Sequence, residues 1–474
     1  MNSQKILLFC LLSSFLFSCS DDLDDQNFTS KTDINDFVWK AMNDYYFWQK
    51  DVPDLNDNKL LDGRAYVNFL ESFSSPEALF DQVIKRPDDR FSLIYSNYNE
   101  LEQLLSGTNK TNGVEYGINR KQSNPDVLYG WVRYILPNSD ASSKNIKRGD
   151  IFYAVNGTPL TISNYRGLLA QDNYTLSMAN FDNGNITPNG QSIALTKTVY
   201  SENPVYLTSV FTHQAKKIGY LMYNGFFSNS ENALNQVFAT FIAQGVTHLI
   251  IDLRYNPGGS VSTSARLASM INNSFAGQVF VKQQWNEKVI NFYASQNNSE
   301  IFNTRFPSTT NTGQAINSLG LNHIFFITSR SSASASELLI HNLKPFIGVT
   351  QIGHTTTGKN VGSILMYDSP NYSKNHSKLN RSHNYVLLPI VFKSANRDGN
   401  GDYANGIEAQ IPYIENIANL GVLGQESDPL LHIALEHVRG RSMSNMPSGE
   451  VFEQISDSKT DRNLPGMIFE NFDF

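Results

Sequence analysis

The chain has 474 residues, 40% of them hydrophobic and 17% charged, and carries a formal net charge of −7. That length exceeds what one core usually holds, so two or three domains are expected, and an apolar content that includes 30 Phe and 22 Tyr excludes wholesale disorder. The negative balance argues against a broad nucleic-acid-binding surface.

Lys5 precedes an apolar run from Ile6 to Phe17, followed by Ser18 and Cys19. At ~1.5 Å rise per residue this run cannot cross a ~30 Å hydrocarbon core, so residues 1–18 read as a signal peptide rather than a spanning helix. Leu16-Phe17-Ser18-Cys19 resembles a bacterial lipobox, which implies cleavage before Cys19 and acylation of its thiol. Ordinary secretory cleavage beside an incidental cysteine is the alternative. The other cysteine, Cys10, lies in the segment to be removed, so the mature chain is expected to lack disulfides, cysteine catalysis and thiolate metal sites. Ser20 to Asp25 is an acidic tether within 19–32, similar to the tract behind the lipid cysteine in surface lipoproteins of Bacteroidetes-type bacteria. The resemblance implies attachment to the outer membrane of the cell envelope through an N-terminal lipid, with the periplasmic or outer side left open. No later stretch is long and apolar enough to span a bilayer.

From 33 to 110 the pattern is mainly helical: Phe37, Val38, Ala41, Tyr45 and Phe47 recur at helical spacing, and Ser75-Pro76 opens a further helix. From 111 to 203 it changes to short strands and turns, with Leu128–Ile135 strand-like and Asn156-Gly157 a tight-turn signal. Ile146-Lys147-Arg148-Gly149-Asp150-Ile151, continuing to Val155-Asn156-Gly157, resembles the PDZ family. That resemblance implies a small β-rich domain binding extended peptide ends, with Tyr116, Gly117 and Ile118 as the carboxylate loop. A β domain that only buttresses its neighbour is the other reading.

From 204 to 438 strands and helices alternate. Val246–Leu253, His323–Thr328 and Val349–Gly353 read as buried strands, with helices through Ala265–Ile271 and from Ala335 to Leu343; short links imply a largely parallel sheet. Residues 439–474, polar at first, read as a loosely ordered C-terminal tail.

Three short segments carry chemistry. Asp252-Leu253-Arg254-Tyr255-Asn256-Pro257-Gly258-Gly259 ends a strand in a glycine pair that turns sharply and uncovers amides at a helix start. Ser332-Ala333-Ser334-Ala335-Ser336-Glu337 stands at a second strand-to-helix junction; Ser334 and Glu337 also have capping-box spacing, so an ordinary cap is the plain alternative. Gly353-His354-Thr355-Thr356-Thr357-Gly358-Lys359 matches part of a phosphate loop. Asn360 stands where that loop needs a magnesium-binding hydroxyl, and a strand follows instead of a helix, which argues against a nucleotide.

Together these segments resemble the C-terminal-processing proteases, peptidase family S41. The resemblance implies an α/β, ClpP/crotonase-like protease core behind the helical region and the PDZ-like domain. It implies a serine endopeptidase that cuts protein or peptide substrates, unfolded or C-terminal segments above all. Ser334 matches the family nucleophile and Lys359 its base, forming a Ser–Lys dyad. The backbone amides of Ala335, Gly258 and Gly259 match the oxyanion donors, and Glu337 and Thr356 occupy supporting positions. Part of the family has a glutamine four residues after the lysine; Ser363 stands here, so a triad does not follow. A catalytically inactive lipoprotein that binds peptides is the rival reading. The chemistry requires Lys359 to be neutral, hence dry and free of a carboxylate partner, because its free pKa is ~10.4. Asp398-Gly399-Asn400-Gly401-Asp402 reads as a hairpin turn rather than a calcium loop, since it lacks the closing Glu. No metal or cofactor is expected.

Overall fold

The structure, a computed structural model, describes residues 30–182, 184–441, 452–462 and 468–469. The expected signal peptide, Cys19 and most of the tether therefore lie outside the described residues. Among those described, no helix is long and apolar enough to cross a membrane.

Helix α1 (Lys31–Tyr45) starts at Ser30, whose hydroxyl accepts the Asp33 amide while the Asp33 carboxylate accepts the Ser30 amide. It buries Phe37, Val38, Trp39, Ala41 and Met42. Helices α2 (Gly63–Glu71) and α3 (Pro76–Gln82) follow, the latter capped by Ser75 as its Ser-Pro signal predicts. This N-terminal layer shares one continuous core with the α/β region, so it is a packed wall rather than an appendage.

The β-rich region contains β1 (Val114–Lys121), β2 (Asn124–Ile135), β3 (Ile151–Val155), β4 (Asn173–Asp182) and β5 (Asn185–Thr196), all paired antiparallel in that order. Asn156 and Gly157 both adopt positive φ in the tight turn after β3, as their sequence predicts. Two expectations fail here. Tyr116, Gly117 and Ile118 do not form a loop: they lie within β1 and pair with β2 through Val132, Trp131 and Gly130. The region after 439 is not uniformly loose either. Gln454–Asp457 adds as a strand to the outer edge of β1, and the turn of helix Ser458–Asp461 follows. Tertiary ion pairs hold that segment down: Arg133 to Asp457, Lys459 to Glu202, Arg462 to Glu115. Its polar composition reads as solvated, and only the fold supplies its partners.

The third region is built on β6 (Val205–His213), β7 (Lys216–Tyr223), β8 (His248–Asp252), β9 (His323–Thr328), β10 (Gly348–Gly353) and β11 (Ile411–Pro412), in that spatial order. β6 and β7 form an antiparallel hairpin; every other pairing is parallel. Strand alternation divides the side chains between two cores. Leu221, Tyr223, Leu249 and Ile251 face α4 (Glu231–Ala243), α5 (Val261–Ile271) and α6 (Ala335–Leu343), whereas Tyr220, Met222 and Ile250 face α7 (Pro429–Arg439) and the aromatic side chains of β2. The molecule is thus mixed α/β with an N-terminal helical layer and a separate antiparallel sheet. The turn after Ala395 is closed by the Asn396 carboxamide, which accepts the amides of Asp398 and Asn400. Among the described residues no group of His, Cys, Asp or Glu could hold a metal ion.

Candidate active site

Strands β8, β9 and β10 end side by side, and the three sequence segments leave from their C-terminal ends. In the first, Asp252 and Arg254 are structural. Arg254 is fully buried and donates to Asp252, Glu415 and Asp428, while Tyr220 donates to Asp252. Burial alone would push Glu415 up; the Arg148 and Arg254 guanidiniums hold it at about 2. A buried cation stripped of its carboxylates costs ~3–5 kcal/mol, which explains why the motif needs both charges.

Asn256 ties this base to the turn. Its Nδ2 donates to the Tyr223 carbonyl at 2.8 Å, and its Oδ1 accepts the Gly258 amide at 2.9 Å. Its own carbonyl accepts the Ala333 amide and the Ser336 hydroxyl, both at 3.1 Å. Ser332 donates to the Leu253 carbonyl at 2.8 Å, and Ser329 to that of Arg254. The first two segments are therefore zipped together across β8 and β9. A methyl group on Gly258 would stand 2.6 Å from the Ser334 Cβ and 2.8 Å from the Ala335 nitrogen, so only glycine lets the turn lie against the serine.

Ser334 is fully buried and has φ +63° and ψ −115°. A non-glycine residue in this region is strained, and such strain concentrates where function over-determines the backbone. The positive φ puts Ser334 on a sharp strand-to-helix corner at the head of α6.

Glu337, one turn into α6, joins this corner to the third segment. Its Oε2 accepts the amides of Ser334 at 2.7 Å and Lys359 at 2.8 Å; its Oε1 accepts the Thr356 hydroxyl at 2.5 Å and the Gly358 amide at 2.6 Å. One carboxylate oxygen thus keeps the main chains of Ser334 and Lys359 within two hydrogen-bond lengths of each other. Burial pushes this carboxyl up, and the four donors pull it the other way. Thr356 passes the link on by accepting the Ile407 amide at 2.7 Å.

Lys359 is only 6% exposed, and among the described residues it makes no ion pair. Burial lowers its pKa from 10.5 to about 8, against the upward pull of the more distant Asp89 and Glu337 carboxylates. The Phe91 ring lies 4.8 Å from Nζ. Phe91 is held by the buried Asp89 carboxylate, which accepts the amides of Phe91 and Ser92 at 2.9 Å, the Tyr46 hydroxyl at 2.9 Å and the Ser92 hydroxyl. Arg90 donates to the Gly358 carbonyl at 3.0 Å. This wall comes from the N-terminal layer, and nothing in the lysine's own segment announces it. A cleft lined by Phe91, Pro257, Ala333 and Lys359 opens beside the corner, and Asp457 and Lys459 of the distal segment also line it.

Of the amides expected to receive an oxyanion, that of Gly258 is already donated to Asn256, so Gly258 supplies shape rather than a ready donor. The Gly259 and Ala335 amides have no protein acceptor among the described residues. Ser363 is buried at the end of the strand Val361–Ser363, where its main chain pairs with Ile390 and its carbonyl accepts the Phe469 amide at 3.0 Å. Tyr116, Gly117 and Ile118 are part of β1 and are not among the residues that line the cleft; Gly117 and Ile118 pair with Asp457 and Ser456 of the distal strand. His354 follows β10, its ring near Thr355 and Arg330.

Comparison with known proteins agrees with this architecture. The family model described as peptidase family S41 matches residues 217–370, and that of the peptidase S41 N-terminal domain matches residues 33–93. A protein of Staphylococcus aureus (strain COL) named "Probable CtpA-like serine protease" is 22% identical over 355 residues, covering 72% of this chain and 61% of that protein. The like-named protein of Staphylococcus epidermidis (strain ATCC 12228) is 25% identical over 172 residues, 34% of this chain and 31% of its own. The chain thus spans less than two thirds of the length of these relatives. In fold it is similar to the crystal structure of an S41 protease candidate from Bacteroides fragilis, with a TM-score of 0.65, 22% identity and coverage of 85% of this chain and 97% of that one. Two models of one family thus match the N-terminal layer and the segments that build the cleft, and over these residues the chain is similar to peptidase family S41.

Proposed function

We propose that this protein is a serine endopeptidase working through a Ser334–Lys359 dyad. The observation that carries the reading is the dry Lys359 amine, lowered to about 8, with its main chain tied to that of Ser334 through one oxygen of Glu337. Neutral Lys359 takes the proton from the Ser334 hydroxyl as Oγ attacks the scissile carbonyl. The tetrahedral oxygen is received by the Ala335 amide at the head of α6, where the helix dipole favours negative charge, and by the Gly259 amide just ahead of α5. The Lys359 ammonium then gives its proton to the leaving amine; water, deprotonated by the same amine, attacks the acyl carbonyl, and Lys359 returns that proton to the Ser334 Oγ as the acyl bond breaks. Substrates are extended protein segments, since strand-forming main chain at Gln454–Asp457 lines the cleft. The lipobox-like sequence at Cys19 supports attachment to the outer membrane through a lipid.

A second reading, a peptide-binding lipoprotein without activity, is favoured by Ser363 in place of the glutamine and by the distal segment in the cleft. Casein cleavage separates the two. The dyad predicts a loss of at least about 10³-fold for both Ser334→Ala and Lys359→Ala in chains that still melt cooperatively. Activity that survives Ser334→Ala removes the dyad.

A further inference from the structure

The distal segment is bound at two places, the strand that lines the cleft and Ile468–Phe469 beside Gly259 and Ser363. Gln454, Ser456 and Asp457 pair antiparallel with Asn119, Ile118 and Gly117 on the outer edge of β1, and the Arg120 amide donates to the Glu453 carbonyl at 2.9 Å. Further on, the Ile468 amide donates to the Gly259 carbonyl at 3.0 Å, its carbonyl accepts the Val261 amide at 2.9 Å, and the Phe469 amide donates to the Ser363 carbonyl at 3.0 Å. Ile468 is thereby bridged on both sides, to Ser260 and to Ser363. Its side chain is 1% exposed, in an apolar slot with Leu101, Tyr367, Val386 and Leu388.

These are the contacts an extended peptide makes when it adds to a sheet edge: main-chain bonds for affinity and a side-chain pocket for selection. The second position adjoins the reacting corner, because Gly259 follows the glycine that lies against Ser334. The first is anchored by buried ion pairs, Arg133–Asp457 and Lys459–Glu202. Burying two charges offsets much of their attraction, so these pairs chiefly fix the register of the segment, and its departure requires Arg133 and Glu202 to be resolvated.

We propose that the distal segment, through residues 454–462 and 468–469, is a resident peptide ligand of this protein's own cleft. Ile468 fills a subsite for branched aliphatic side chains, and a substrate must displace it to reach Ser334. The proposal rests on the protease reading for its kinetic consequence, while the occupancy itself is independent of catalysis. An occupant in cis lowers the apparent affinity for any competitor by the fraction of molecules in which the slot is free.

The test uses the full chain. Ile468→Asp puts a charge in the apolar slot, and Ile468→Ala, which empties it without adding charge, is the second variant should the first fail to fold. kcat/KM for casein is expected to rise about tenfold in Ile468→Asp and about threefold in Ile468→Ala. A synthetic peptide of residues 454–469 added to either variant is expected to restore the lower rate by raising KM at constant kcat. In parallel, a fluorescein-labelled copy of that peptide is titrated into the chain carrying Ser334→Ala alone and into the chain that also carries the Ile468 substitution. At least about tenfold tighter binding to the doubly substituted chain is expected for Ile468→Asp, and about threefold for Ile468→Ala. Unchanged or lower activity in a folded variant, or equal binding to both chains, overturns the proposal. If no form of the chain cleaves casein, the protease reading fails and the anisotropy titration alone decides the occupancy.

Discussion

At the scale of single residues the decisive group is the Lys359 amine. Its proton affinity is set by a contest: loss of water pulls its pKa from 10.5 to about 8, while Asp89 and Glu337, neither in contact with Nζ, pull less strongly upward. The folded chain therefore releases this proton earlier than the unfolded chain. Between pH about 8 and 10.5 the unfolded state binds more protons, so stability rises with pH across that window; below it the full penalty for a buried ammonium is present. Replacing Lys359 by Met removes the penalty. The expected outcome is a gain of up to ~3 kcal/mol at pH 7 that shrinks as pH approaches 10, read by urea denaturation at both values. A Met variant no more stable at pH 7, or a gain that is the same at both, would show that the amine is not desolvated. Ser334 and Lys359 stand out in the sequence because each lies within a short contiguous motif. The dryness of Lys359 does not: Asp89 and Phe91 come from the distant N-terminal layer, and no local pattern links an Asp-Arg-Phe-Ser run to a lysine so far downstream.

At the scale of elements, the corner depends on α6 and on the carboxylate one turn into it. Glu337 has the spacing of an ordinary capping box, and part of its work is that: its Oε2 accepts the Ser334 amide. The same carboxylate also receives three donors from the segment after β10, which makes a helix cap into a clamp between two loops. Glu337→Gln keeps the shape but sets an amide group against main-chain N–H donors. The expected result is ~2–4 kcal/mol of lost stability and about 10²-fold lower kcat for casein, with KM little changed. Intact activity in that variant would mean that the clamp does not position the dyad. The strands and helices of the α/β region were legible almost to the residue: His323–Thr328 and Ala335–Leu343 coincide with their expected spans, because apolar runs with Gly, Ser and Pro at their ends mark both. Tyr116–Ile118 was read as a loop on the PDZ resemblance, and a glycine between two apolar residues fits either a loop or a strand. Here Gly117 faces the Trp131 indole, where a Cβ would come within 2.4 Å of Nε1. The commitment of the Gly258 amide to Asn256 likewise depends on a side-chain direction that spacing does not reveal.

At the scale of the whole molecule, the cleft is assembled from three distant parts of the chain: the α/β core supplies Pro257, Ala333 and Lys359, the N-terminal layer the wall at Phe91, and the distal segment part of the lining. The distal segment was invisible in the sequence because its partners, Glu115, Arg133 and Glu202, lie hundreds of residues upstream and its composition is that of a solvated stretch. The wall makes a long-range prediction. Phe91→Ala admits water beside Nζ, so the midpoint of the pH–activity profile is expected to move from about 8 toward the ordinary 10.5, while the acylating hydroxyl is untouched. An unmoved midpoint would assign the lowered proton affinity to some other cause. The central claim, that a neutral lysine activates a buried serine, is tested most directly by labelling with a serine-directed fluorophosphonate. The rate is followed from pH 6 to 10 in the unaltered chain and in Lys359→Ala, and the modified residue is located by peptide mass mapping. The account predicts a single adduct on Ser334, formed at a rate that climbs through pH about 8 and then levels, and almost none in Lys359→Ala. Equal labelling of the two chains, or a rate indifferent to pH, would contradict it.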